Sequence, residues 1–248
     1  MPWTLALLSA LECAICLGYL AVGLHYARRA IAGPDAWTAL FALFWCAFGV
    51  YGLLEALWSL AIAALPLPVE AGVTILHVKV LLACLGFFGL VCYLLRLYTG
   101  RDVRALAGAY YAAALAALLY SYDRAQPVGQ EVQAWRGGLV YARSDGALGT
   151  WAPILAMLPA LAAALAFLAL ARVASDARAR RRIVRLGVAL VVFLGGLSLG
   201  WLNASWFWWP LAEKLLALVA VAGALDVLRP RDRADREVQG PGRANAPR

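Results

Sequence analysis

Seven long apolar segments run through this chain, and short polar connections or proline- and glycine-containing turns separate them. A helix of about 20 apolar residues crosses the roughly 30 Å of hydrocarbon in a bilayer. Hydrophobic residues make up 64% of the chain, more than a soluble protein of 248 residues can bury. We therefore expect an all-α bundle of seven transmembrane helices. The predicted spans are Trp3–Ala27, Trp37–Leu65, Gly72–Tyr98, Ala105–Tyr122, Thr150–Val173, Ile183–Ala204 and Trp206–Leu228.

These spans make up a single membrane domain over residues 1–228, followed by a short tail. We interpret the first span as a retained helix, because neither a basic region before it nor a cleavage pattern indicates a signal peptide. The tail, residues 229–248, is rich in Arg, Asp, Pro and Gly, which predicts a disordered basic segment. The longest connection, Asp123–Gly149, is expected to form a small external hairpin or lid.

The arginines predict the orientation of the bundle. Seventeen of them lie in the first, third and fifth connections and the tail, whereas the second and sixth connections have none. The positive-inside rule then places the N-terminus outside, the C-terminus in the cytoplasm and the protein in the cell (inner) membrane. Because the net charge of +8 is concentrated beside span ends, the expected partners are the bilayer and anionic lipid headgroups, not nucleic acid. The Ser175–Arg185 loop and the tail are the predicted docking surfaces for a protein partner.

Lys79 and Lys214 are the only two lysines in the sequence, and both fall inside predicted spans. A charged side chain at the centre of a bilayer costs about 2.5–3.5 kcal/mol on insertion scales. Such residues therefore indicate a functional site or a structural ion pair.

Three glutamates, Glu12, Glu55 and Glu213, are predicted at the same depth as the lysines, about 10–15 Å below the outer surface. We expect Glu55 and Lys79 to form the central pair, Lys214 with Glu213 to form a second anchor, and Glu12 to close the ring. Helical periodicity adds Tyr51 to the inward stripe of the second span. The candidate ligand-binding or ion-pair residues are Glu12, Tyr51, Glu55, Lys79, Glu213 and Lys214.

Four further polar or aromatic residues lie near this layer and form a secondary set. His77 is two positions from Lys79 and points to a different face of the same helix. Ser198 lies in a G-x-S-x-G match that we interpret as a helix-packing glycine pair, because a transmembrane helix lacks the strained turn of that motif. Asn203 belongs to the short turn after the sixth span, and Trp209 belongs to an aromatic belt or a lid over the polar layer.

The metal- and cofactor-binding patterns that we considered are incomplete, so no catalytic residue and no metal site is expected. Cys13 and Cys16 form a C-x-x-C without a second cysteine or histidine cluster, which favours small packing residues. His25 and His77, the only two histidines, lie toward opposite ends of their spans and cannot clasp one haem.

Seven spans, an outside N-terminus and Lys214 midway along the last helix resemble the layout of microbial rhodopsins. The resemblance implies retinal bound to Lys214 as a Schiff base, with Glu55 as its counter-ion. The third span carries Lys79 where that family places carboxylates, and Pro210 stands where it has an acid. Our expectation is therefore no cofactor, with retinal on Lys214 as the alternative.

The leading hypothesis for function is an integral membrane receptor or sensor with a small-ligand or proton site in the outer half of the bundle. The first alternative is a proton- or ion-coupled transporter of a small solute, with the same residues acting as a relay. The second is a structural or assembly subunit whose charges only hold the helices together.

Overall fold

The computed structural model describes residues 2–64, 69–123, 147–202 and 209–228. Within these residues the chain is all-helical, with seven α-helices and one short 3₁₀ turn. The helices are α1 (Pro2–Ala32), α2 (Ala36–Ala64), α3 (Val69–Thr99), α4 (Arg104–Asp123), α5 (Ala147–Ala169), α6 (Ala177–Leu202) and α7 (Trp209–Leu228), and the 3₁₀ turn Leu170–Arg172 follows α5. The predicted external hairpin and the predicted disordered tail lie outside the described residues.

Among the described helices, α1, α2, α3 and α5 are long and apolar enough to cross a membrane. In α7 the apolar stretch, Lys214–Leu225, is shorter. The first half of α6 carries five arginines, so its longest apolar run begins only after Arg185. Four apolar helices of this length indicate a membrane protein.

Aspartates cap three of the helices, and arginines lie within a few residues of each of these helix starts. Asp35, Asp102 and Asp176 accept hydrogen bonds from backbone N–H groups in the first turns of α2, α4 and α6. The Thr38 hydroxyl and the backbone N–H groups lower the pKa of the Asp35 carboxyl. The Arg104 side chain and backbone N–H do the same for Asp102, and two backbone N–H groups do so for Asp176. The caps satisfy N–H groups that a helix start otherwise leaves without partners.

The predicted Ser175–Arg185 loop is wrong for most of its length, because α6 begins at Ala177. Asp176 caps the new helix, and arginine has a high helix propensity, so the helix starts in the polar segment before the apolar one. The apolar run that starts at Ile183 indicates where the predicted hydrocarbon segment begins. It does not indicate where the helix begins.

Six of the helices close into a ring, and α4 packs on its outer side. Around the ring the helices follow the order α1, α2, α3, α5, α6 and α7, and α7 packs against α1. Helix α4 contacts α3 and α5. Phe193 of α6 lies in the core of this ring, with its ring centroid 5.4 Å from that of Tyr19, 5.8 Å from that of Phe44 and 5.0 Å from that of Phe48. Aromatic contacts thus join α1, α2 and α6 at the core.

Close helix approach depends on glycine at several contacts. At Gly89 of α3, a Cβ would lie 2.3 Å from the backbone oxygen of Leu40 on α2. At Gly23 of α1, it would lie 2.9 Å from the backbone nitrogen of Cys46. Without a driving force from water, membrane helices associate by such close packing of small residues.

Pro159 creates a second kind of contact between helices, here between α5 and α4. Proline has no N–H, so the carbonyl of Leu155, four residues earlier, loses its helical donor. The Tyr110 hydroxyl of α4 donates to that carbonyl at 2.6 Å. An interhelical hydrogen bond therefore replaces the one that Pro159 removes.

Candidate functional site

The first ion pair of the candidate site joins α2 to α3. The ammonium of Lys79 forms a salt bridge and hydrogen bond with Oε2 of Glu55. The Lys79 side chain is only 5% exposed and that of Glu55 27%. The ammonium also lies 4.7 Å from the centre of the Tyr51 ring, where the negative π face adds a second favourable contact.

The second ion pair joins α7 to α1, between the ammonium of Lys214 and Oε2 of Glu12. The two side chains are 21% and 11% exposed. The sequence predicted Glu213 as the anchor of Lys214, but residues adjacent on a helix point about 100° apart and do not face each other. The partner of Lys214 comes from the helix that closes the ring, and the side chain of Glu213 lies outside the described residues.

One turn of α2 contacts both ion pairs. Tyr51 and Glu55 contact Lys79, and between them Gly52 packs against α1. A Cβ at Gly52 would lie 3.0 Å from Oε1 of Glu12. Because one turn rises about 5.4 Å, the two pairs meet α2 at the same depth. We call Glu12, Glu55, Lys79 and Lys214 the four-charge cluster.

A cavity of about 50 Å³ opens beside Lys79 and Tyr51. One water needs about 10–15 Å³ on the same measure, so the cavity has room for a few waters or one small ion. Among the described residues of its wall Lys79 alone is charged. The others come from α2 to α6: Phe48, Leu76, Val80, Ala83, Cys84, Phe87, Leu118, Pro153, Ala156, Met157 and Leu197.

The core on the arginine-rich side of the cluster is aromatic. Phe48 and Phe44 lie about 10 Å and 16 Å before Glu55 along α2, at 1.5 Å per residue. Both are buried and contact Phe193 of α6. Within the described residues, a buried aromatic layer, which we call the apolar floor, therefore lies between the cluster and the arginine-rich end of the bundle.

The secondary residues are only partly described. His77 is half-buried on α3, two positions before Lys79. The side chains of Ser198 and Trp209, and Asn203 altogether, lie outside the described residues, so their predicted roles remain predictions.

The described residues do not fit retinal. Lys214 is paired with Glu12 and does not line the cavity, and the expected counter-ion Glu55 is paired with Lys79. A cavity of about 50 Å³ is also far below the roughly 300–1,000 Å³ of sites that enclose larger organic ligands. Within the described residues no group of three or more His, Cys, Asp or Glu side chains is placed to hold a metal ion.

Sequence reasoning missed two residues of the site, Gly52 and Cys16. Cys16 lies one turn after Glu12 and is buried, and its Sγ is the atom nearest to a Cβ built at Gly52, at 2.4 Å. The sequence contains one feature that could have indicated this contact, the position of Gly52 one turn before the intramembrane Glu55. Small residues are typical of the faces on which membrane helices pack.

No family model, no curated protein and no solved structure matches this chain.

Proposed function

We propose that this protein is a membrane receptor or sensor whose signal is a proton or a small ion acting on the four-charge cluster. The observation that carries the proposal is the meeting of two ion pairs from α1, α2, α3 and α7 at one turn of α2. Buried charges are stable only when paired, so a change in one charge changes which helices attract each other.

Glu55 is the natural entry point for such a signal. Its side chain is about five times more exposed than that of Lys79, so it is the accessible partner of a buried cation. Protonation of Glu55 leaves the ammonium of Lys79 without its counter-charge, and the carboxylate of Glu12 lies against the same turn of α2. Lys79 and Lys214 then compete for Glu12, which loosens the contact between α1 and α7.

The cavity size favours a proton or a small ion over an organic ligand, because about 50 Å³ holds only a few waters. The apolar floor formed by Phe44, Phe48 and Phe193 favours a sensor over a transporter. A transporter requires a polar path through both halves of the membrane, whereas a sensor requires only access to the cluster from one side.

The proposal includes the topology. All seven helices cross the cell (inner) membrane, with the N-terminus outside and the cluster in the outer half. In support, most of the arginines lie in the tail or in and beside the connections before α2, α4 and α6, as the positive-inside rule requires of cytoplasmic segments, and the three in the connection between α4 and α5 are balanced by three acids in or beside it. Loosening of α7 then passes directly to the tail that follows it.

The test is infrared difference spectroscopy of the full chain in lipid nanodiscs between pH 8 and pH 5, with and without sodium or potassium. We expect a carboxyl C=O band from a protonated buried glutamate in the wild type, together with faster hydrogen exchange in α7. The matched variant is Glu55→Gln with Lys79→Met, which keeps the length of the first side chain, shortens the second by one atom and removes both charges. It should fold and lose the band and the α7 response.

Three results would contradict the proposal. A wild type without any band or exchange change in this range is not a proton or ion sensor. An unchanged α7 response in the double variant assigns the signal elsewhere and leaves the charges with the structural role. Proton flux into proteoliposomes that the double variant abolishes would replace the sensor by the transporter.

A further inference from the structure

A second concavity lies at the opposite end of the bundle from the four-charge cluster. It is about 410 Å³ in volume and lies where the 3₁₀ turn after α5 meets the first turns of α6. Its wall consists of Ala171, Arg172, Arg180, Arg181, Val184 and Arg185, and we call it the arginine pocket. The cavity beside Lys79 contacts α5 at Pro153, Ala156 and Met157, about 20 Å away along the helix axis.

Four arginine side chains line this pocket, and none of the described residues of its wall is acidic. Asp176 is the only acid in the sequence between Arg172 and Arg185. Its two carboxylate oxygens accept hydrogen bonds from the backbone N–H groups of Arg178 and Ala179, so Asp176 serves as the cap of α6. This single acid leaves the segment with a net positive charge.

The chemistry of the wall indicates a phosphate group. The planar guanidinium presents parallel N–H donors that match two oxygens of a phosphate, and arginine is the side chain best suited to such contacts. The concavity is open to its surroundings, and its volume of about 410 Å³ exceeds what a bare ion requires.

The position of the pocket indicates that this phosphate belongs to a lipid. Arg172 is the last residue of the apolar stretch Trp151–Arg172, so the pocket lies where a membrane helix ends. Val184 contributes apolar wall, and Val188, one turn further along α6, is 47% exposed. An acyl chain can follow these two valines while its headgroup meets the arginines.

We propose that the arginine pocket binds the phosphate of an anionic phospholipid headgroup at the membrane surface. Basic pockets between membrane helices on the cytoplasmic side are known binding sites for such headgroups. The inference goes beyond the proposed sensor function and does not depend on the four-charge cluster.

The sequence of α6 supplies a matched control. Arg178 and Arg182 lie on the same helical turns as Arg180 and Arg181 but do not line the pocket. Arg182 instead has an electrostatic interaction with Tyr26 of α1. The pair Arg180→Gln and Arg181→Gln thus removes the same charge as the pair Arg178→Gln and Arg182→Gln, from a different surface.

The experiment is native mass spectrometry of the full chain in detergent, titrated with phosphatidylglycerol and, separately, with phosphatidylcholine. We expect phosphatidylglycerol to be retained preferentially. The pocket pair should weaken its retention by about tenfold or more, from the loss of two arginines, and the control pair by much less. Arg172→Gln, in the 3₁₀ turn, provides an independent pocket variant if the first one does not fold.

Four results would overturn the proposal. Equal retention of the two lipids excludes a site for an anionic headgroup, and equal weakening by pocket and control pairs indicates a diffuse surface attraction. Displacement of phosphatidylglycerol by millimolar inorganic phosphate identifies a soluble anion as the ligand. Unchanged lipid retention in the pocket pair, combined with the loss of a co-purifying protein, assigns the surface to a protein partner instead.

Discussion

Removing one partner of the Glu55–Lys79 pair should destabilise the protein far more than removing both. Lys79→Met leaves the carboxylate of Glu55 without its cation. Keeping a glutamate of ordinary pKa, about 4.3, neutral at pH 7 costs about 3.7 kcal/mol, at 1.36 kcal/mol per pH unit. Because the Glu55 side chain is 27% exposed, water relieves part of that cost, and we expect a loss of about 3 kcal/mol in the free energy of unfolding.

Glu55→Gln should cost more than Lys79→Met. It leaves the ammonium of Lys79, whose side chain is only 5% exposed, beside a neutral amide. Neutralising a lysine of ordinary pKa, about 10.4, at pH 7 costs about 4.6 kcal/mol. The double variant removes both charges, and since neutral replacements of buried pairs are often harmless, its stability should lie within about 1 kcal/mol of the wild type.

Thermal or denaturant unfolding in detergent, followed with a thiol-reactive dye, measures these differences. The dye is suited to this chain because Cys16, Cys84 and Cys92 are buried in the fold and become reactive on unfolding. Leu81→Met, on the exposed face of α3, controls for the new methionine.

The pH dependence gives a sharper test of the same reasoning. From pH 7 to pH 5 the penalty of Lys79→Met should shrink, because the lone carboxyl is cheaper to protonate. The penalty of Glu55→Gln should shrink as well when Glu55 of the wild type takes up a proton, as the sensor proposal requires, whereas a purely structural pair keeps the full penalty. Single variants that each cost under about 1 kcal/mol, or a double variant whose loss equals the sum of the two, would refute the argument.

Three further predictions concern the scaffold. Tyr110→Phe should lower the free energy of unfolding by about 1 kcal/mol. The loss should be much smaller in a Pro159→Ala background, because the alanine supplies the helical N–H donor that Pro159 lacks. Equal losses in both backgrounds would contradict this. Gly89→Ala should cost about 1–3 kcal/mol because its methyl group would lie 2.3 Å from a backbone oxygen, whereas Gly195→Ala, with no heavy atom within 4 Å, should be neutral or stabilising. The cap of α6 should weaken as the pH falls through the lowered pKa of Asp176, because the contribution of this carboxylate to stability is complete only above its unfolded pKa of about 3.9. Hydrogen exchange in the first turn of α6 should therefore accelerate in acid. The Asp176→Ala variant should lack this response.

Local patterns in the sequence were sufficient for the helical architecture. Apolar segments and turn signals place each of the seven helices, because a backbone in hydrocarbon must satisfy its hydrogen bonds within the helix. The ends were less accurate: α6 starts six residues before the predicted span, since capping at Asp176 and helix propensity act outside the apolar segment. The four long apolar helices support a membrane protein, and the seven-span count remains a proposal.

The depth of Glu12, Glu55, Lys79 and Lys214 along their helices follows from the sequence alone, because rise per residue is constant. Which charge meets which depends on the neighbours of each helix and on its rotation. Lys214 contacts Glu12 because α7 packs against α1 to close the ring, and Glu12 meets α2 at Gly52 because a glycine there permits the approach. Such contacts join residues far apart in the chain, and only the packed tertiary structure decides them.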